Sequence, residues 1–328
     1  MIAYLADLSH CGSLLLWVGG NLIGTNMNEC KDTLYHYTSR EAFLNIIQNK
    51  TLWATNILYL NDSLEAQYTF KLFDSVINST KNDKDKFKSF DLMVKKYVKK
   101  GDSVLDKYID CLFANPNSNN FLKDYVFENP YFVASFSSSG DLLSQWRGYC
   151  NQSGGLSIGF SKNYISELQK NYRYMFTKCI YEKEDQLRAI KKSVNEAVSQ
   201  FSDQFLDKKD FEEKIFNVIQ SLLLKILLCS PIFKHESFSD EQEWRIIVGH
   251  NPVNKKDIQY RSGTSMVVPY FEIDLEPFRS DLKIELDEVI VGPTPHPELS
   301  KASIEAFLES EDIRVGRVVN SSIPYRSW

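Results

Sequence analysis

The chain has little of what usually identifies an enzyme at sight. Its 328 residues contain no GxGxxG fingerprint after a strand, no GxxxxGK[ST] phosphate loop and no GxSxG nucleophile elbow. The six cysteines (Cys11, Cys30, Cys111, Cys150, Cys179, Cys229) are dispersed, with no CxxC and no paired spacing. That excludes a disulfide framework and a zinc ribbon, and it suits a reducing cytoplasm. His235-Glu236 opens like a zinc-protease helix, but Ser239 stands where the second histidine should fall, and His250 and His296 are isolated. No metal is expected.

Long apolar runs are also missing. Leu14 to Val18 is far shorter than the roughly 20 residues of a spanning helix, and no Lys or Arg precedes it as a secretory leader requires. No membrane partner is expected. Nor is there an excess of positive charge: the formal net charge is −5. Lysines crowd positions 84 to 100, but Asp83, Asp85 and Asp91 are interleaved, which reads as a solvated helical face and gives no strong nucleic-acid signal.

What is present is ordinary globular material, 43% hydrophobic and 25% charged, with many rings: 21 Phe, 17 Tyr and 5 Trp. Such a chain can bury a sizeable core. Strand patterns fall at Thr33–Tyr37, Thr51–Thr55, Tyr131–Phe136, Leu156–Phe160, Tyr172–Tyr181, Glu243–Val248, Ser265–Leu275, Glu288–Val291 and Arg314–Val319. A helix capped by Ser39 follows the first of them, and another is expected at Ser300–Leu308. Two helical blocks, at about 63–128 and 183–232, interrupt the strands. The pattern predicts one α+β domain over 33–328, with a mixed or antiparallel central sheet and two large helical insertions. Residues 1–32 read as an N-terminal extension.

Three islands mix polar groups that are costly to bury unpaired with rings that prefer burial. They are Leu34 to Ser39, Ser135-Phe136-Ser137 running into Gln145-Trp146-Arg147-Gly148-Tyr149, and Glu241 to Arg245. On a continuous strand Glu241, Glu243 and Arg245 would share one face, with Gln242 and Trp244 on the other. Two carboxylates so placed can divide the work of steadying a positive charge and taking a proton; equally, Glu243 can be a plain ion-pair partner of Arg245. His36 is either a satisfied core histidine or, with Thr38 and Ser39, a group for a ribose hydroxyl or phosphate. Ser135 and Ser137 belong on one face of their strand, which could be an edge strand entering a turn. Trp146, Arg147 and Tyr149 can sandwich a flat heteroaromatic ring and neutralise a diphosphate, or simply pack on the sheet.

Together with Leu52-Trp53, Leu60-Asn61-Asp62, Gly155 to Phe160, Val291-Gly292-Pro293 and Pro324-Tyr325-Arg326, the islands resemble a bacterial group, the domain of unknown function 2971 family, over residues 33–326. That resemblance brings no activity with it. The order of a His-Tyr first strand, a Ser-x-Ser middle strand and a late Glu-x-Glu strand is also similar to the site motifs of ADP-ribosyltransferases. Phe136 stands where their middle motif carries Thr. The second resemblance implies an ADP-ribosyltransferase-like sheet and NAD as substrate. His36, with Tyr37 and Thr38, would hold the adenosine ribose, Trp146 or Tyr149 would stack on nicotinamide beside Arg147, and Ser137 would brace the catalytic Glu243. Glu241 would activate water or a macromolecular acceptor. By analogy, the setting would be a cytoplasmic toxin or phage-defence effector. The alternative is a non-catalytic module that binds a nucleotide or a protein partner in the same cleft.

Overall fold

The computed structural model describes residues 32–60, 68–69, 71–73, 75–76, 130–149, 154–172, 174–202, 229–249, 253–263, 265–276 and 282–324, with the backbone alone for 195–202. Expectations for residues 1–31, most of the first helical block, 203–228, Asp62 and the Tyr325-Arg326 pair lie outside them. The chain divides into two compact units. One takes the described residues of 32–60, 131–179 and 237–324; the other takes those at 68–76, 130, 180–202 and 229–236.

The first unit is a large, open, mostly antiparallel sheet with helices. Its strands are β1 (Thr33–Ser39), β2 (Thr51–Asn56), β3 (Phe132–Ser137), β4 (Gly155–Ser161), β5 (Met175–Lys178), β6 (Glu243–Val248), β7 (Ile258–Ser262), β8 (Val267–Asp274), β9 (Glu285–Val291) and β10 (Arg314–Asn320). They run in the order β10-β9-β4-β1-β3-β2-β8-β7, with β6 on β3 and β5 on β6. Only β9 and β10 of these pair in parallel, joined by α5 as a crossover must be (helices are α1, Arg40–Asn49; α2, Leu143–Tyr149; α3, Lys162–Tyr172; α4, Lys183–Ser202; α5, Pro297–Ser310).

Local sequence explains most of these elements. Ser39 ends β1 in extended conformation, and its Oγ accepts from the Ala42 N–H at 3.1 Å, which starts α1. Helix α1 buries Phe43, Ile46 and Ile47 at one-turn spacing and ends at Lys50 in the left-handed region. The alternation Leu52, Ala54, Asn56 inward along β2 is that of a half-buried strand. The core gathers Leu34, Phe43, Leu52, Phe136, Ile158, Phe160, Trp244 and Val289 beneath the sheet. Each such side chain is worth about 1.5–3 kcal/mol when fully buried.

Three strand expectations change. Tyr172 closes α3, so the strand expected from Tyr172 to Tyr181 shrinks to Met175–Lys178. The Ser-x-Ser strand is no edge: β3 is hydrogen-bonded on both sides. β7 is an additional strand at the rim of the sheet; its exposed Gln259 and Tyr260 give no burial alternation to read.

In the second unit, α4 carries the fully buried Gln186. Its Nε2 donates to the carbonyls of Ile180 and Lys234 at 2.5 and 2.8 Å, and its Oε1 accepts from Tyr68 at 2.8 Å. Among the described residues no helix is long and apolar enough to cross a membrane.

Candidate functional site

The site follows from the way β3 is paired. Along one edge it is matched to β6 throughout, from Phe132 opposite Val248 to Ser137 opposite Glu243. Its other edge is shared. β1 meets it only at Ser137, through Tyr35, and β2 meets it only at Val133 and Phe132, through Thr55 and Asn56. Between those two points β1 and β2 diverge, and the sheet is split alongside Ala134, Ser135 and Phe136. A cleft of about 90 Å³ opens there. That is room for on the order of six to nine waters at 10–15 Å³ each, about the bulk of a sugar with one adjoining ring.

The register fixes which groups face it. Side chains opposite one another share a face, so Tyr35, Tyr37, Trp53, Thr55, Val133, Ser135, Ser137, Glu243 and Arg245 lie on one side of the sheet. Phe136 and Trp244 take the other side and join the core. His36 also starts on that other side, yet it reaches the cleft through the split. Its Nδ1 lies 2.9 Å from the Ser135 carbonyl oxygen, and its ring is 5.8 Å from that of Phe136. A carbonyl oxygen only accepts, so Nδ1 carries the proton, and Nε2 of the neutral ring is an acceptor. Burial favours that neutral form and pushes the His36 pKa below its usual value, against the opposing effect of the Ser135 carbonyl.

Glu243 reaches the same cleft from β6, on the fully paired edge of β3. It is 5% exposed and lines the cleft. Arg245, 2% exposed, holds it from two residues along the same face: Nε donates to Oε1 at 2.7 Å and Nη2 to Oε2 at 3.0 Å. The ion pair weighed from the sequence is therefore present, and it sits inside the cleft rather than apart from it. Glu241 also lines the cleft, but not as a strand neighbour of Glu243. It ends a 3₁₀ turn, Glu236–Glu241, and Gln242 follows with φ 47°, a left-handed residue that breaks the alternation expected from Glu241 to Arg245.

Ser137 acts on that turn. Its Oγ donates to the Glu241 carbonyl at 2.8 Å and accepts from the Ser139 N–H at 3.1 Å. The expected brace from Ser137 to the Glu243 carboxylate is thus corrected: its single hydroxyl proton goes to the Glu241 backbone. Trp244 assists from below, donating its indole N–H to Ser138 Oγ at 3.1 Å.

The second island supplies the roof. Gln145 and Tyr149 are four residues apart on α2, hence on one helical face, and both line the cleft. Trp146 points away. It is fully buried, edge-on to Tyr37 at 4.8 Å, with its Nε1 2.7 Å from Asp141 Oδ1. Gly292 is required beneath it, since a Cβ there would stand 3.0 Å from the indole. The expectation that Trp146 stacks on a ligand is overturned; the ring is core. Arg147 is exposed and does not line the cleft, and Thr38 is buried away from it. Tyr37 lines it but commits its hydroxyl, which donates to the Ser139 carbonyl and accepts from the Leu142 N–H.

Asp141 ties this roof to the end of the chain. It accepts from Trp146 Nε1 and Ser321 Oγ on one oxygen, and from Ser322 N and Oγ on the other, at 2.6 to 2.8 Å. Burial opposes ionisation, but the hydrogen bonds from Ser321, Trp146 and Ser322 prevail and hold the carboxyl below its usual pKa.

Several lining residues were not singled out as site residues from the sequence. Trp53 stands on β2, tilted against Tyr270 at 4.5 Å, and lines the cleft together with Tyr149, the second of the two rings expected there. Thr55 and Leu60 lie beside it, and Arg261 of β7 donates from Nη2 to Thr55 Oγ1 at 3.2 Å. Tyr35 lines the floor; burial and its hydrogen bond to Glu288 push its hydroxyl up to about 12. Among the described residues no group of three His, Cys, Asp or Glu is placed to hold a metal ion.

A family model described as Protein of unknown function (DUF2971) matches residues 145–246. The chain resembles that family. The matched segment begins at Gln145 in the roof and ends on β6 just past Glu243 and Arg245, so the cleft's α2 and β6 both fall inside it. His36 and Trp53 lie outside the DUF2971 match. No curated protein and no solved structure matches the chain.

Proposed function

We propose that the cleft of this DUF2971-like chain takes the nicotinamide riboside end of NAD and breaks its glycosidic bond, in an ADP-ribosyltransferase-like manner. One observation carries the reading: His36, with Nδ1 held by the Ser135 carbonyl, and the buried carboxylate of Glu243, brought in by two different strands, line one small hollow. In the step, the C1′–N bond breaks and its electron pair leaves with nicotinamide, which becomes neutral. The ribose gains oxocarbenium character. Glu243, fixed by Arg245, faces that charge and favours the transition state over the ground state. Water or a macromolecular nucleophile then attacks C1′, and its proton passes to Glu241. Nε2 of His36 accepts from a ribose hydroxyl, and Trp53 and Tyr149 replace Trp146 as the rings beside the base. Service as a toxin or phage-defence effector belongs to the same proposal and rests on analogy.

Purified protein incubated with labelled NAD is expected to release nicotinamide. Glu243→Gln should lower the rate at least about 100-fold, the scale of one lost electrostatic group in a dry site. Glu241→Gln, which leaves the buried ion pair intact, should slow it as well. A second reading is favoured by the double engagement of Glu243 with Arg245, which leaves fewer lone pairs free for chemistry. In that case the cleft is a non-catalytic nucleotide- or protein-binding module. Tight NAD binding without release by the parent protein would decide for it.

A further inference from the structure

Gln145 is an amide side chain of the cleft with no stated task. It is 7% exposed and lines the hollow. Its carboxamide makes no hydrogen bond among the described residues, whereas that of Gln186, fully buried elsewhere, is satisfied three times over. An enclosed amide that opens on a cleft with no protein partner is free to pair with what enters it. Its neighbours fix the shape of what could pair with it. Trp53 from β2 and Tyr149, one turn along α2, offer flat apolar faces, and Thr55 offers a hydroxyl.

We infer that Gln145 reads a planar ring bearing a primary carboxamide, pairing its own N–H and C=O with the ligand's C=O and N–H while the aromatic side chains border the ring. This rests on the NAD reading and deepens it: the nicotinamide end is recognised by its amide, through a side chain of α2. Position supports this. The same helix buries Trp146 against Tyr37 and Asp141, so Gln145 stands on a braced element rather than on a free loop. A carboxylate in place of the ligand amide would present two acceptors, only one of which Gln145 can satisfy.

The test compares NAD with its nicotinic acid counterpart, in which the ring amide is a carboxylate, by calorimetry on the full chain. The parent should bind NAD at least about tenfold more tightly than the acid form, and Gln145→Leu should bind the two within about threefold of each other. Gln145→Leu should also melt no lower than the parent, because it removes an amide with no protein hydrogen bond and nearly keeps the volume. NAD binding with no preference for the amide, or a preference that survives in Gln145→Leu, overturns the inference and leaves the NAD reading in place. A variant that melts much lower overturns it too, by showing that the amide has a structural partner. Failure of the parent to bind either dinucleotide ends both.

Discussion

Arg245→Leu is expected to destabilise the chain by about 3 to 5 kcal/mol at neutral pH, since it removes the guanidinium that pairs with the buried Glu243 carboxylate through two hydrogen bonds. The two side chains are 2% and 5% exposed, so water cannot take over the solvation that the guanidinium provides. Replacing both residues with leucine should recover much of the loss, because the double variant removes the enclosed carboxylate together with its guanidinium. Denaturant titrations of the three proteins at pH 7 check this. Equal stability of Arg245→Leu and the parent at pH 7 would mean that Glu243 is not enclosed.

Asp141→Ala is expected to cost about 3 to 5 kcal/mol as well, by a different route. Hydrogen bonds to a charged acceptor are worth about 1.5–3 kcal/mol each, and four donors lose theirs at once. The indole N–H of Trp146 is the most exposed to penalty, because its ring is fully buried. The parent's Asp141 has a depressed pKa, so its contribution is complete above the unfolded value of about 3.9 and is lost as pH falls through the folded one. Asp141→Ala should therefore lose less than the parent on acidification below about pH 4. Because α2 carries Gln145 and Tyr149, the variant should also weaken NAD binding when assayed at a temperature where it is folded. Unchanged NAD affinity would separate the brace from the cleft.

How much of this was legible follows from periods and from their failures. β1, β3 and β6 could be read because a strand with one buried face alternates. Thus Ser135 and Ser137 do oppose Phe136, and Glu243 does share a face with Arg245. Glu241 escaped the same rule, since Gln242 adopts a left-handed backbone without being glycine, and nothing in its side chain announces that. Helix α3 was hidden by a run of aromatics: Tyr164, Ile165, Leu168 and Tyr172 have helical spacing, but Tyr172, Tyr174 and Phe176 continue as if in a strand. The exchange of Trp146 for Trp53 could not be read locally. Both are indoles in polar surroundings, and only the packing of Tyr37, Gly292 and Asp141 decides that one is core while the other borders the cleft. Gln145 had one signal, its four-residue spacing from Tyr149, but spacing cannot show that an amide has no partner.

The split between β1 and β2 is the larger lesson. A sheet whose central strand is paired fully on one edge and only at two points on the other leaves backbone groups such as the Ser135 carbonyl to be satisfied by side chains. A histidine placed there is held in one tautomer, and its remaining nitrogen faces whatever enters. That couples the fold to the chemistry without any loop motif, which is why familiar signatures were absent.

The most direct measurement is a nuclear magnetic resonance titration of the His36 ring in isotope-labelled protein, assigned by His36→Gln. The ring should be neutral at pH 7, protonated on Nδ1, with a pKa below the ordinary 6.5 or so. On addition of NAD the Nε2 resonance should shift saturably as it accepts a ribose hydroxyl. A ring that titrates normally, or one that NAD leaves untouched while binding elsewhere, would contradict the assignment of the split-sheet cleft as the site.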